Sequence, residues 1–229
     1  MAKYMPLTKE ELQVFIQDDT ICLGDIDTSL MTDISRLFFR SKRKNFRGIE
    51  TWDVSNVTNM FLMFAHTVYF NQDISSWDVS NVTDMSHMFA EAINFNQPLN
   101  DWNLSKVKTI SNMFKGAKAF NKPLDKWDVS NVKDMNCTFS GAENFNQDIS
   151  NWNVSNVEIM GAMFSNAKSF NQDISNWDVS NARHLIYMFE GATNFNQNIN
   201  KWNVIENAEM YNMFDRSPLE NNLPSWYVK

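Results

Sequence analysis

The sequence predicts an α/β repeat fold: a right-handed solenoid of leucine-rich-repeat type with about nine rungs, each a short parallel strand followed by a short helix, under an N-terminal helical cap. Three observations carry this. Trp52, Trp77, Trp102, Trp127, Trp152, Trp177 and Trp202 recur every 25 residues without insertion or deletion. Phe64, Phe89, Phe114, Phe139, Phe164, Phe189 and Phe214 keep the same period, as do Phe-Asn pairs beginning at Phe70, Phe95, Phe120, Phe145, Phe170 and Phe195. Within each repeat the apolar spacing changes character after the Trp. A fixed period of this length means stacked units, each unable to bury its apolar face without a neighbour.

Residues 1–22 read as the cap. Thr8-Lys9-Glu10-Glu11 is a capping box with Leu7 and Leu12 as its hydrophobic staple. Leu12, Phe15 and Ile16 form the apolar stripe of a helix ending near Asp18. A degenerate first rung follows over 23–51, where DTSLMTDISRLF matches DVSNVTDMSHMF of residues 78–89, and Leu23 and Ile26 stand for Ile74 and Trp77.

Regular repeats occupy 52–202. In each, the segment equivalent to Ile74–Trp77, bounded by Asn, Asp and Pro, is predicted as the strand. Pro98 and Pro123 stand just ahead of it, where a missing N–H lies outside the ladder. Val82, Met85, Met88 and Phe89 then fall on one helical face, with Ser80-Asn81 as N-cap and Asp84 near N3. Gly116, Gly141, Gly191 and Asn166 share the next slot, the residue types of a left-handed C-cap. The unvarying Asn71, Asn96, Asn121, Asn146, Asn171 and Asn196 are predicted to donate side-chain hydrogen bonds to carbonyls of the adjacent coil. The last rung, 203–226, is degenerate: Leu219, Leu223 and Trp226 keep the spacing of Phe195, Ile199 and Trp202, and Pro224 discourages edge pairing. Residues 227–229 form a tail.

Chemistry is sparse. His66, His87 and His184 lie in different slots of different repeats, and Cys22 and Cys137 are too many rungs apart to pair or share a zinc. No HExxH, GxSxG or phosphate-binding glycine loop is present, and six glycines leave little material for a mobile active-site loop. The expectation is no catalytic residue, no cofactor and no metal: a non-enzyme. Two Asp columns, Asp73, Asp148, Asp173 and Asp53, Asp78, Asp128, Asp178, are read as turn caps, with calcium as the alternative. Eleven of the 14 methionines occupy two core slots of the predicted helix and are read as packing.

Net charge is −7, yet RLFFRSKRKNFR over 36–47 holds six basic residues and no acid. From Trp52 onward there are 19 acidic residues against 12 basic, so the expected shape is a mildly acidic rod with one basic end. No apolar run is long enough to span a membrane, and MAKYMPLTKEEL lacks the apolar core of a secretory signal, which predicts a cytoplasmic chain as written.

The recurring Trp, Ser-Asn-Val, Met-Phe and Phe-Asn, as in WDVSNVTDMSHMF from Trp77 to Phe89 and FNQDISNW from Phe145 to Trp152, resemble the bacterial BspA-like leucine-rich-repeat surface proteins over residues 23–226. The resemblance implies a leucine-rich-repeat-like solenoid, attachment to host proteins or other cells, and a cell-surface location. The sequence departs from it in showing no export signal, no lipobox cysteine near its start and no wall-anchoring tail.

The function expected is a non-catalytic protein-binding or adhesion scaffold, since a rigid repeated face loses little entropy on binding. Slots equivalent to Phe61, Leu62, Ala65, His66 and Tyr69 vary most between repeats, on the predicted helix and return loops. Candidate partner-binding residues are Phe61, Tyr69, His87, Tyr187 and Tyr211, with Arg36, Arg40, Lys42, Arg43, Lys44 and Arg47 of the basic loop. The alternative is a binder of nucleic acid or another anionic partner through loop 36–47, which the acidic body disfavours for nucleic acid. The sequence leaves the oligomeric state open.

Overall fold

A computed structural model describes residues 3–227. Helix α1 spans Lys9–Gln17, and the Thr8 side chain accepts a 3.2 Å hydrogen bond from the Glu11 N–H. Leu12 and Ile16 are buried in the core beside Leu23 and Ile26. The expected staple does not form, because Leu7 is 69% exposed. Its backbone N–H instead donates to the Glu11 carboxylate at 2.7 Å, which fixes the entry of the chain by a polar contact.

The short helix and the strand expected in every repeat are not formed. Among the described residues, the only helical elements beyond α1 are 3₁₀ turns at Leu23–Asp25, Ile49–Thr51 and Pro218–Asn221. Each coil is a chain of hydrogen-bonded turns. In the coil of Trp77, N–H groups of Trp77, Val82, Met88, Ala90, Ala92 and Phe95 donate to the carbonyls of Ile74, Val79, Met85, His87, Phe89 and Ala92. Five of these six turns begin and end on a buried apolar residue. The i, i+3 spacing of Val82, Met85 and Met88 therefore records successive turns, and a helix face shares that spacing. The Asp, Asn, Ser and Thr residues between them favour turns by bonding local amides, as Asp78 does with the Ser80 N–H at 3.0 Å.

Successive repeats lie one upon another, but the ladder runs where the helix was expected. One parallel bridge per coil links Asp33, Asn59, Asp84, Thr109, Asp134, Ile159, His184 and Glu209. From there every second amide reaches the next coil: Met60 N–H to Asp84 O at 2.9 Å, Leu62 to Ser86 at 3.0 Å, Phe64 to Met88 at 2.9 Å and His66 to Ala90 at 2.7 Å. The amides between them close turns in their own coil, Met63 onto Met60 and Ala65 onto Leu62. The predicted strand Ile74–Trp77 is a single turn closed by a 3.1 Å bond.

Side chains repeat the same register. Ring centroids of Phe64, Phe89, Phe114, Phe139, Phe164, Phe189 and Phe214 lie 5.6–5.8 Å apart in sequence, nearly parallel. Within a coil the second Phe stacks on the first, 4.0 Å between Phe114 and Phe120. Each indole N–H donates to a carbonyl of the preceding coil, Trp127 to Leu99 O at 2.8 Å, a ladder the sequence did not reveal. A Val or Leu column at Val54, Val79, Leu104, Val129, Val154 and Val179 is also buried.

The Asn column is correct in place and reversed in sense. From Asn71 to Asn171 each side-chain oxygen accepts from the backbone N–H of the next Asn, as Asn121 Oδ1 does from Asn146 at 3.0 Å and from Gln147 Nε2 at 2.8 Å. Donation to a neighbouring carbonyl belongs to another column, Asn56, Asn81, Asn131, Asn156 and Asn181. The last coil closes differently. Tyr227 N–H, not that of Trp226, makes the final turn, and Tyr227 packs on Phe214 at 5.2 Å. The rest of the expected tail, 228–229, lies outside the described residues.

Trp127→Ala is expected to cost about 3–5 kcal/mol by removing a buried aromatic, and the half-buried Trp226→Ala less. Equal losses in denaturant unfolding would contradict the capped stack. Asn121→Leu is expected to destabilise by about 1–3 kcal/mol because it strands the Asn146 N–H. A stabilised variant in the same assay would count against the acceptor ladder.

Candidate functional site

The ladder side carries two columns of residues in the left-handed region. Arg36, Leu62, His87, Asn112, Cys137, Ala162, Tyr187 and Asn212 have φ between 50° and 59°. Arg40, His66, Glu91, Gly116, Gly141, Asn166, Gly191 and Arg216 have φ between 56° and 69°. The second column includes the Gly and Asn slot that the sequence placed at a helix end; the conformation is as expected and the helix is not there. The first column never uses Gly, although left-handed φ is costly for other residues. That absence hid it from sequence reasoning.

These columns gather the candidate residues into two groups. At the first, Arg36 lies 5.4 Å above the ring of Phe61, and Phe61 meets the edge of His87 at 5.6 Å. Arg40 lies 5.1 Å from the ring of Phe39, which meets His66 at 5.8 Å, and Lys44 lies 5.4 Å from Tyr69. Phe39 and His66 are additions the sequence reading did not name as site residues. At the far end Tyr187 and Tyr211 meet edge to face at 5.7 Å, and Asn212 donates to the Tyr187 hydroxyl at 3.4 Å. Between them the first column holds Asn112, Cys137 and Ala162, and the slot beside it, equivalent to Phe61, holds Ser111 and Gly161.

Arg43 leaves the site. The residue is 4% exposed, and its guanidinium donates to the carbonyls of Ile16 at 3.0 Å, Asp18 at 3.2 Å, Ile21 at 2.5 Å and Asn45 at 2.7 Å. It satisfies the last carbonyls of α1 and ties the cap to the first coil. Burial pushes its pKa down, while Asp19, 3.6 Å away, opposes the shift. Arg36, Arg40, Lys42, Lys44 and Arg47 remain exposed.

His87 is half-buried, and its Nδ1 has no hydrogen-bond partner. Burial, then the charge of Lys115, lowers its pKa, while Asp84 and Asp134 pull the other way. Burial raises the carboxyl of Asp134 and the thiol of Cys137, which leaves Cys137 a poor nucleophile. The Asp columns serve as turn acceptors: hydrogen bonds from Ser80, Ser130, Ser175 and Ser180 hold Asp78, Asp128, Asp173 and Asp178 below the usual carboxylate range. Among the described residues no cluster of three or more His, Cys, Asp and Glu is arranged to hold a metal.

The family described as Mycoplasma protein of unknown function, DUF285, matches residues 13–127 and 108–226. The chain belongs to this family. The two DUF285 matches overlap and each takes in several coils. No curated protein and no solved structure matches the chain. Among the described residues of this DUF285 protein, no helix is long and apolar enough to cross a membrane.

Two outcomes follow from these contacts. Arg43→Ala is expected to destabilise by about 3–5 kcal/mol, because it removes the donor to four buried or half-buried carbonyls; unfolding in urea measures this. The second concerns pH. The folded pKa of His87 lies below its unfolded value, so the unfolded chain binds a proton that the folded chain refuses. Stability should be retained above the unfolded His value, about 6.5, and fall as pH drops below it. His87→Gln is expected to flatten that part of the melting-temperature profile, and an unchanged profile would contradict the assignment.

Proposed function

We propose that this chain is a solenoid-type, non-catalytic scaffold that holds a protein partner along its left-handed columns. The observation that carries this is the first column: eight non-glycine residues in a conformation that favours glycine, differing from coil to coil as Arg, Leu, His, Asn, Cys, Ala, Tyr and Asn. Backbone strain retained at every repeat, together with side-chain variety, is what a recognition surface produces. The slots equivalent to Phe61, Leu62 and His66, which vary most in sequence, lie on or beside these columns. The regular hydrogen-bonded stack beneath them keeps the entropy cost of binding low.

The finer reading is a BspA-like leucine-rich-repeat protein of a cell surface that attaches to host or cell-surface protein. The motifs of the repeats support it, and so does membership of a repeat family.

The test is substitution by glycine in the first column. Ala162→Gly is expected to stabilise by about 0.5–1 kcal/mol, because it relieves a left-handed φ. His87→Gly with Tyr187→Gly should stay folded by circular dichroism, as strain relief offsets lost contacts. The double variant should lose binding to whichever extracellular protein the wild-type chain recognises in a panel read by biolayer interferometry. Retained binding would move the site off these columns.

A further inference from the structure

Arg36, Arg40, Lys42, Lys44 and Arg47 are exposed, and among the described residues none of them joins an ion pair. Elsewhere the chain neutralises many of its cations. Lys118 and Lys168 share Glu143, Lys126 meets Asp101, Lys133 meets Glu158 and Arg216 meets Glu190. Even at the same end, Lys3 pairs with Asp25 and Lys9 with Asp33. Five like charges in one loop repel one another until a counter-charge arrives.

Three of the five are also held in place by rings of the first two coils: Arg36 by Phe61, Arg40 by Phe39 and Lys44 by Tyr69. A long cation resting on an aromatic face has less rotamer freedom to lose on binding. Arg36 and Arg40 are, besides, the first members of the two left-handed columns. The patch is thus continuous with the face that carries the proposed function.

We infer that this loop docks a short acidic segment of a protein partner, with carboxylates meeting the guanidinium groups of Arg36 and Arg40. The inference goes beyond the proposed function by naming the partner's chemistry and the end of the stack at which it sits. Nucleic acid fits less well. The ring faces of Phe39, Phe61 and Tyr69 that base stacking would use are already covered by cations. From Trp52 onward the body carries 19 acidic residues against 12 basic, which repels any polyanion longer than the patch. Two coils span about 10 Å, room for about three extended residues.

The experiment uses a fluorescently labelled triglutamate peptide, matched to the span of the patch, and anisotropy titration of the full chain at about 20 mM and about 300 mM ionic strength. Three proteins are compared: the wild type; a patch variant with Arg36→Ser, Arg40→Ser, Lys42→Ser, Lys44→Ser and Arg47→Ser; and a control with Lys106→Ser, Lys108→Ser, Lys115→Ser, Lys122→Ser and Lys201→Ser. Patch and control variants have the same net charge. Saturable one-to-one binding is expected at low salt, weakened about tenfold or more in the patch variant and by added salt, and within about twofold of wild type in the control. Should the patch variant melt early, Arg36→Ser with Arg40→Ser serves in its place, with the same direction expected. Absence of binding to the wild type at low salt overturns the inference. So does equal weakening in patch and control, which would reduce the effect to net charge. Tighter binding of a thymidine trinucleotide or of phosphatidylserine vesicles overturns it in favour of those ligands. The glycine variants of the columns play no part in this titration, so the two readings fail separately.

Discussion

The structure depends on one constraint: a coil made of turns leaves alternate amides pointing out of the coil, and only another coil in the same register can accept them. Met60, Leu62, Phe64 and His66 donate to Asp84, Ser86, Met88 and Ala90, and the pattern recurs through the stack. A buried amide without a partner costs as much as a lost hydrogen bond, so an insertion or deletion inside the ladder segment would strand several at once. This is why the period stays at 25 residues from Trp52 to Trp202. The extra residue between Phe38 and Phe64 falls in the loop of the first coil, outside the ladder, so the register is kept: Arg36 donates to Phe61 O and Phe38 to Met63 O, as Leu62 does to Ser86 O and Phe64 to Met88 O.

Once the backbone is in register, identical side chains fall above one another, and the sequence exploits this with three polar or aromatic ladders. Offset-stacked Phe rings fill the centre, indole N–H groups pair carbonyls that turning would leave buried, and Asn oxygens accept the amides at the Phe-Asn turn. Each ladder binds a coil to its neighbour rather than to itself. Stability is then carried by interfaces between coils, and the ends need covers: α1 with Arg43 at one, Trp226 and Tyr227 packed on Phe214 at the other.

The left-handed columns connect that stack to the recognition face proposed above. The same alternation that sends amides to the next coil requires a left-handed residue twice per coil. One column accepts glycine at Gly116, Gly141 and Gly191, and the other keeps side chains. The stack therefore holds strain at regular intervals, on side chains such as the exposed Tyr187 and the half-buried His87. Charge is distributed by the same logic. Acids that cap turns hold their charge along the body, while Arg36, Arg40 and Lys44 of the basic loop rest beside Phe61, Phe39 and Tyr69.

By itself the sequence determined the repeat, its phase, the buried Trp, Met and Phe positions, α1 to within a residue, and the left-handed conformation at Gly116, Gly141, Asn166 and Gly191. These are legible because period and residue type are local properties. It did not distinguish a helix from a run of turns, since Val82, Met85 and Met88 satisfy both spacings and only long-range hydrogen bonds separate them. For the same reason the ladder was assigned to Ile74–Trp77 rather than to the segment around Asp84. Tertiary structure also decided which cation of loop 36–47 is structural. Nothing in RLFFRSKRKNFR marks Arg43 apart from its neighbours; it is buried because the carbonyls at the end of α1 have no donor of their own, and they lie within reach of that guanidinium only once cap and coil have packed.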